Sequence, residues 1–203
     1  LIVAAGIVTG RLALHELDGE ELIFAGHSVG EITAAALAGV LSDEDAMRFV
    51  RVRANGMAEA AAASPTGMAA VLGGVEENVR EAIDAAGLVA ANSNGGGQIV
   101  AAGPIPAIEA FAANPPARAR VIPLKVAGAF HTEAMAPAVP ALEEFAASLQ
   151  VSDPTSALLT NRDGSAVASG EEFVKTLVSQ VTSPVRWDLC MATLLEREVA
   201  GII

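Results

Sequence analysis

Residues 26 to 31 read GHSVGE, between the apolar run LIFA and the alanine-rich ITAAALAGV. Glycines two places either side of a serine let a strand and a helix approach closely, leaving the serine exposed on a strained turn. Ser28 is therefore a candidate nucleophile. Charge developing on a substrate oxygen would meet the backbone N–H of Val29 and the amide end of the following helix. The competing reading is an ordinary strand–turn–helix corner with Ser28 as a helix cap. The apolar run before, the small-residue helix after, and the flanking His27 and Glu31 favour the nucleophile.

A serine hydroxyl is a weak nucleophile until a base takes its proton. The chain holds three histidines. His15 lies in the polar stretch RLALHELDGEEL and reads as a solvated residue near a helix end. His27 adjoins Ser28 but projects in a different direction from a tight turn. His131 remains, in KVAGAFHTEAM, where a strand-like segment gives way to a helix with Thr132 and Glu133 in its first turn. No aspartate is convincingly placed as a third member. The expectation is a Ser28–His131 dyad whose imidazole is oriented by a backbone carbonyl or amide. Arg48, Arg51 and Arg53 either include a ligand-binding guanidinium or form a solvated helix face, and periodicity alone does not separate the two.

The elements that must position these residues read as α/β. ELIFA (21–25) has strand length, EITAAALAGVLS (31–42) reads as a buried helix, and Asp43 to Met57 as another, with Ser42 as N-cap. From Gly67 to Pro123 the order is strand (68–72), helix (76–86), strand (88–92), glycine loop, strand (98–102), helix (106–112) and strand (119–123). That βαββαβ order is the split βαβ pattern of a ferredoxin-like module. It predicts a small domain at 67–123 inserted into a larger one formed by 1–66 and 124–203, completed by strand-like SALLTN (156–161) and helices at 171–181 and 191–198. NSNGGGQ matches no phosphate-binding glycine pattern, and a tight connection between two strands accounts for it.

Composition narrows the partners. Twelve Lys and Arg against 24 Asp and Glu give a net charge of −12, which argues against general affinity for nucleic acid or an anionic membrane. Hydrophobic residues make up 52% of the chain, enough for a sizeable core. One cysteine, Cys190, excludes an internal disulfide, and no metal-ligand spacing is present, which together fit a reducing, cytoplasmic setting. LIVAAGIV at the start is too short for a membrane span and reads as the inside of a helix or strand, while EREVAGII reads as the beginning of a strand. The expectation is a chain cut inside a domain at both ends.

GHSVGE, VRVRANGMAEA, ANSNGGGQIVAAG, KVAGAFHTEAMAPA, TNRDG and SQVTSPVRW, in this order and at these intervals, resemble the malonyl-CoA:acyl carrier protein transacylase family, including the acyltransferase domains of polyketide synthases. The resemblance implies an α/β-hydrolase-like large domain with a parallel sheet and an inserted ferredoxin-like small domain. It implies Ser28 as the acylated nucleophile, His131 as its base, Val29 as an oxyanion donor and Arg53 as the fork that binds a malonyl carboxylate. It further implies that Phe130 favours malonyl over methylmalonyl groups, that Gln180 lines the site, that Asn161 lies near the histidine, and that Asn92 and Gln98 face bound coenzyme A. Malonyl-CoA would be substrate rather than permanent cofactor, acyl carrier protein the partner, and no metal is implied. An acidic carrier would need a local basic rim, for which Arg118, Arg120, Lys125, Arg162 and Arg186 are candidates. The family's N-terminal Gly-Gln-Gly motif, which supplies a second oxyanion donor, has no counterpart in these residues. The alternatives are a polyketide-synthesis acyltransferase, a serine hydrolase of the GxSxG type, and a non-catalytic carrier-docking domain.

Overall fold

The computed structural model describes residues 1–17 and 19–203 and divides into two compact units. One comprises Leu1–Ala54, Pro140–Val178 and Leu189–Ile203; the other comprises Asn55–Val139 and Ser179–Asp188. Along the chain the elements are α1 (Ile2–Glu16), β1 (Ile23–Phe24), α2 (Gly30–Leu37), α3 (Asp43–Ala63), β2 (Thr66–Gly73), α4 (Glu76–Ala85), β3 (Val89–Gly95) and β4 (Gln98–Pro104). They continue with α5 (Ile105–Ala113), β5 (Ala119–Pro123), α6 (Val139–Ala146), β6 (Ala157–Leu158), α7 (Gly170–Ser179), β7 (Val185–Arg186) and α8 (Trp187–Glu196). The protein is mixed α/β with parallel strand pairs, and no described helix is long and apolar enough to cross a membrane.

In the first unit β1 pairs in parallel with β6, Ile23 opposite Ala157 and Phe24 opposite Leu158. Helices α1 and α2 approach closely because glycines face larger residues: a Cβ on Gly6 would press on Thr33, and one on Gly10 on Leu37. Phe49, Leu142, Leu158, Phe173 and Leu177 are fully buried, and the Phe49 and Phe145 rings meet at 6.3 Å between centroids in a tilted arrangement. Ser42 caps α3, its Oγ accepting from Asp45 N–H at 3.0 Å. Helix α2 is shorter than the 31–42 read from sequence. It stops at Leu37, and Gly39 turns the chain at φ +82°, which a side-chain-bearing residue adopts only under strain.

The second unit is built on a five-stranded sheet in the order β5-β2-β4-β3-β7. The β5/β2, β2/β4 and β4/β3 pairs are antiparallel, and β3/β7 is parallel. The two-residue alternation of a strand assigns the faces. Ala69 and Val71 of β2 with Ile99 and Ala101 of β4 pack with Val79, Ile83, Ile108 and Phe111 of α4 and α5. Their neighbours Met68, Val100 and Ala102 form a second cluster with Ala91 and Ala129, against which Phe130 and Ala134 pack. This unit reaches beyond residues 67–123, because the segment before His131 lies on that second cluster and β7 adds a strand at the edge. Residues 124–129 are not strand: after Leu124 N–H bonds Met68 C=O at 2.8 Å, the backbone leaves the sheet. Residues 199–203 are exposed, apart from their first, borderline member, and carry no regular structure, so the strand expected there is not formed.

Candidate active site

The GHSVGE turn joins β1 to α2. Gly26 is buried, and a Cβ there would overlap the backbone of Gly30 and Glu31, so only glycine permits the crossing. Gly30 is different: a Cβ on it would meet nothing within 4 Å, and its φ is unexceptional. Close approach therefore depends on the first glycine of the motif, not on both as the sequence suggested. Ser28 sits at φ +53°, in the left-handed region that costs a non-glycine residue about 1–2 kcal/mol. The following hydrogen bonds hold it there: Gly30 N–H to His27 C=O at 2.9 Å, Glu31 N–H to Ser28 C=O at 3.0 Å, and Ile32 N–H to Val29 C=O at 3.2 Å. The N-cap of α2 is Val29, with no side-chain cap bond, so Ser28 is not a capping serine.

Arg53 separates from its neighbours on α3. Arg48 and Arg51 are exposed, and Arg48 pairs with Glu44 along the helix. Arg53 is only 7% exposed, and its Nη2 donates to Ser28 Oγ at 3.2 Å. Burial pushes its guanidinium down to about 10, partly opposed by the negative charge of Glu31. Glu31 is fully buried at 0% exposure, and its Oε1 accepts from Asn161 N–H at 2.6 Å. Asn161 itself is 1% exposed, and among the described residues its side-chain Oδ1 and Nδ2 find no hydrogen-bond partner. Sequence reading noted Glu31 only as a polar neighbour of the serine. Its link to Asn161, 130 residues away, leaves no local signal.

His131 and Gln180 meet in the second unit. Gly128 fits against Ala61, Ala129 N–H donates to Thr66 Oγ1 at 3.0 Å, and Thr132 Oγ1 donates to Ala129 C=O at 2.7 Å. Thr132 then caps a 3-10 helix, Glu133–Ala138, its Oγ1 accepting from Ala134 N–H. Between them His131 is held at φ +62°, with 3% exposure. Its Nδ1 lies 2.9 Å from the backbone oxygen of Gln180. A carbonyl only accepts, so Nδ1 carries the proton and Nε2 offers a lone pair, the tautomer a general base needs. Asp and Glu are not the orienting partner; a main-chain carbonyl is.

The remaining predicted residues fall in the same unit. Phe130 is half-buried against Met68 and Val100 and their cluster. Asn92 is buried on β3 opposite Val100 and Val185. Gln98 accepts from Asn94 Nδ2 at 2.8 Å and lines a hollow of about 310 Å³ with Ser93, Gly97 and Asp188. Of the basic candidates, Arg162 is paired with Asp163 and Arg186 with Asp188, while Arg118, Arg120 and Lys125 are exposed around β5.

A strained serine beside a buried guanidinium and a histidine anchored through Nδ1 are the groups of an acyl-transfer enzyme. Known proteins agree. Over 205 residues the chain is 51% identical to malonyl CoA-acyl carrier protein transacylase of Mycobacterium tuberculosis, covering 100% of this chain and 68% of that one. The crystal structure of MCAT from Mycobacterium tuberculosis superposes with a TM-score of 0.94 at 52% identity, over 97% of this chain and 66% of that chain. A malonyl-transacylase solved in complex with its type II polyketide acyl-carrier protein matches with a TM-score of 0.87 at 29% identity, over 97% of this chain and 66% of that chain. The chain thus spans about two thirds of the length of these relatives. Residues 17–203 match the acyl transferase domain model, and the chain belongs to that family.

Proposed function

We propose that the protein transfers a malonyl group from malonyl-CoA to the phosphopantetheine thiol of acyl carrier protein, supplying extender units for fatty-acid synthesis. The observation that carries this reading is Arg53, a buried guanidinium within 3.2 Å of the candidate nucleophile. A buried cation beside a reacting centre suits an acyl group that ends in a carboxylate, which it can bind through two parallel charge-assisted hydrogen bonds. A serine hydrolase has no such need. The names of the relatives point the same way.

The reaction runs in two halves. His131 takes the proton of Ser28 while Oγ attacks the thioester carbonyl, and Val29 N–H stabilises the oxyanion. The C–S bond breaks, coenzyme A leaves with the proton from His131, and a malonyl-serine ester remains. The carrier thiol then gives its proton to His131 and attacks the ester, and Ser28 recovers its proton as the new thioester departs. Arg53, holding the carboxylate, fixes the acyl group in place through both halves. Phe130 limits the space beside it and favours malonyl over methylmalonyl. Gln180 and the partnerless buried amide of Asn161 supply polar contacts near the acyl group, and Asn92 and Gln98 face coenzyme A. Exposed Arg118, Arg120 and Lys125 offer positive charge to an acidic carrier. Residues 67–123 form a ferredoxin-like module, for which the 4-1-3-2 strand order of β2 to β5 is the support, inserted in an α/β-hydrolase-like domain of residues 1–66 and 124–203. The proposed setting is cytoplasmic.

Mass spectrometry after exposure to malonyl-CoA tests the reading. A malonyl adduct on Ser28, lost in Ser28→Ala and discharged by acyl carrier protein, is the expected result. No adduct on the intact protein overturns it. Release of free malonate without transfer to the carrier would favour the hydrolase.

A further inference from the structure

Ser28 is the node of a small buried network in the first unit. Its Oγ accepts from Arg53, and its carbonyl accepts from the backbone N–H of Glu31 at 3.0 Å. Glu31 sits at 0% exposure in the first turn of α2, one helix position from the turn that holds the nucleophile. A carboxylate so deeply buried is stable only beside opposite charge and donors. Asn161 N–H, 2.6 Å from Oε1, supplies one donor, and the only charge that acts on Arg53 appreciably is that of Glu31.

We infer that Glu31 is a positioning residue for acyl-group selection: its buried carboxylate holds the Arg53 guanidinium charged and aimed at the space beside Ser28, while anchoring the Asn161 backbone to the same turn. The inference rests on the proposed malonyl transfer. Two features support it on physical grounds. A guanidinium has five donors in a rigid fork and a long, flexible stem, so a fixed direction requires a fixed counter-charge. Burial works against the charge of Arg53, and Glu31 offsets part of that effect. Without the carboxylate, the arginine would lose both its electrostatic support and its direction. The hydroxyl of Ser28 alone, a neutral acceptor, is a weak substitute.

The test separates charge from packing. Glu31→Gln is nearly isosteric and keeps an oxygen to accept from Asn161 N–H, so the fold is retained. Acylation of Ser28 is measured with malonyl-CoA and with acetyl-CoA, which lacks the distal carboxylate. The expected result is a fall of about tenfold in the malonyl-to-acetyl ratio of kcat/KM, a coupling typical of charged neighbours in one network, with the acetyl rate little changed. In an Arg53→Ala background the same substitution leaves the ratio where it was, because Glu31 acts through Arg53. An unchanged ratio in Glu31→Gln, or an equal loss for both donors, overturns the inference and makes Glu31 a packing residue. Should Glu31→Gln not fold, Glu31→Asp, which keeps the charge but withdraws it by one methylene, is expected to lower the ratio by a smaller factor; a wild-type ratio there overturns the inference equally. Failure of the wild-type protein to form any malonyl adduct would instead remove the transfer reading itself.

Discussion

Arg53 Nη2 and Ser28 Oγ lie 3.2 Å apart although 25 residues separate them, so the proposed selector of the acyl group touches the proposed nucleophile directly. The same guanidinium that later holds a carboxylate first holds the empty serine. Substrate binding and release of the hydroxyl are thereby one event, since an arginine turned toward a carboxylate weakens its bond to Oγ.

Truncating that arginine reads out selection. Arg53→Ala is expected to lower kcat/KM for malonyl-CoA by at least about 100-fold, a loss typical of a charge-assisted bidentate contact. Acetyl-CoA should lose far less, so preference shifts toward it. Unchanged selectivity in competition assays with the two donors would remove Arg53 from its role.

The charge of Arg53 also predicts a pH response. Burial lowers its guanidinium to about 10 from 12.5. In the free protein the positive form is lost as pH rises through about 10, so kcat/KM for malonyl-CoA falls there while that for acetyl-CoA has no such limb. The stability effect has the opposite sign. Between about 10 and 12.5 the unfolded chain keeps this proton and the folded one does not, so this residue's contribution becomes more favourable with rising pH. Initial-rate profiles with both donors check the first, and denaturant titrations the second.

The two glycines of GHSVGE should respond differently. Gly26→Ala forces a Cβ into the backbone of Gly30 and Glu31 and is expected to destabilise by about 3 kcal/mol or more. Gly30→Ala places its Cβ in open space and should change stability by about 0.5 kcal/mol or less. Thermal unfolding of both variants decides the matter.

The left-handed serine carries strain that glycine would relieve. Ser28→Gly and Ser28→Ala both lose the hydroxyl and its bond to Arg53, yet only glycine accepts φ +53° freely. Ser28→Gly should be the more stable of the two by about 1 kcal/mol. Equal stabilities would mean that the turn relaxes in the alanine variant.

His131 is oriented by the main chain of residue 180, not by its side chain. Gln180→Ala should therefore leave the imidazole in the Nδ1-protonated tautomer, which nitrogen NMR of labelled histidine reports. Any loss of malonyl transfer in that variant then comes from the missing amide and not from a misdirected base.

Sequence reading recovered what local signals encode. The six elements from β2 to β5 lie between glycine and proline turns, and each was found to within about three residues at either end. The dyad histidine was reached by elimination. Non-local pairings were not legible: β7 is two residues long, follows Pro184, and exists because β3 offers Asn92 and Ser93 as partners. The segment 124–129 looks like a strand because it is apolar, but its residues pack on a sheet face and do not join its edge. The choice among three arginines needed the fold, since only burial distinguishes Arg53. Glu31 was hidden for the same reason, because its partner Asn161 comes from another part of the chain.

The sheet of the second unit has one face under α4 and α5 and another under the segment that ends in His131. Adjacent residues of a single strand thus differ in mutational reach. Enlarging Ala101 disturbs helix packing and is felt in unfolding; enlarging Ala102 lifts Ala129 and, two residues on, tilts the imidazole, so a methyl group buried far from any substrate would register in turnover. Evolution of rate in this protein can proceed through every second residue of β2 and β4 without touching a residue that meets the acyl group.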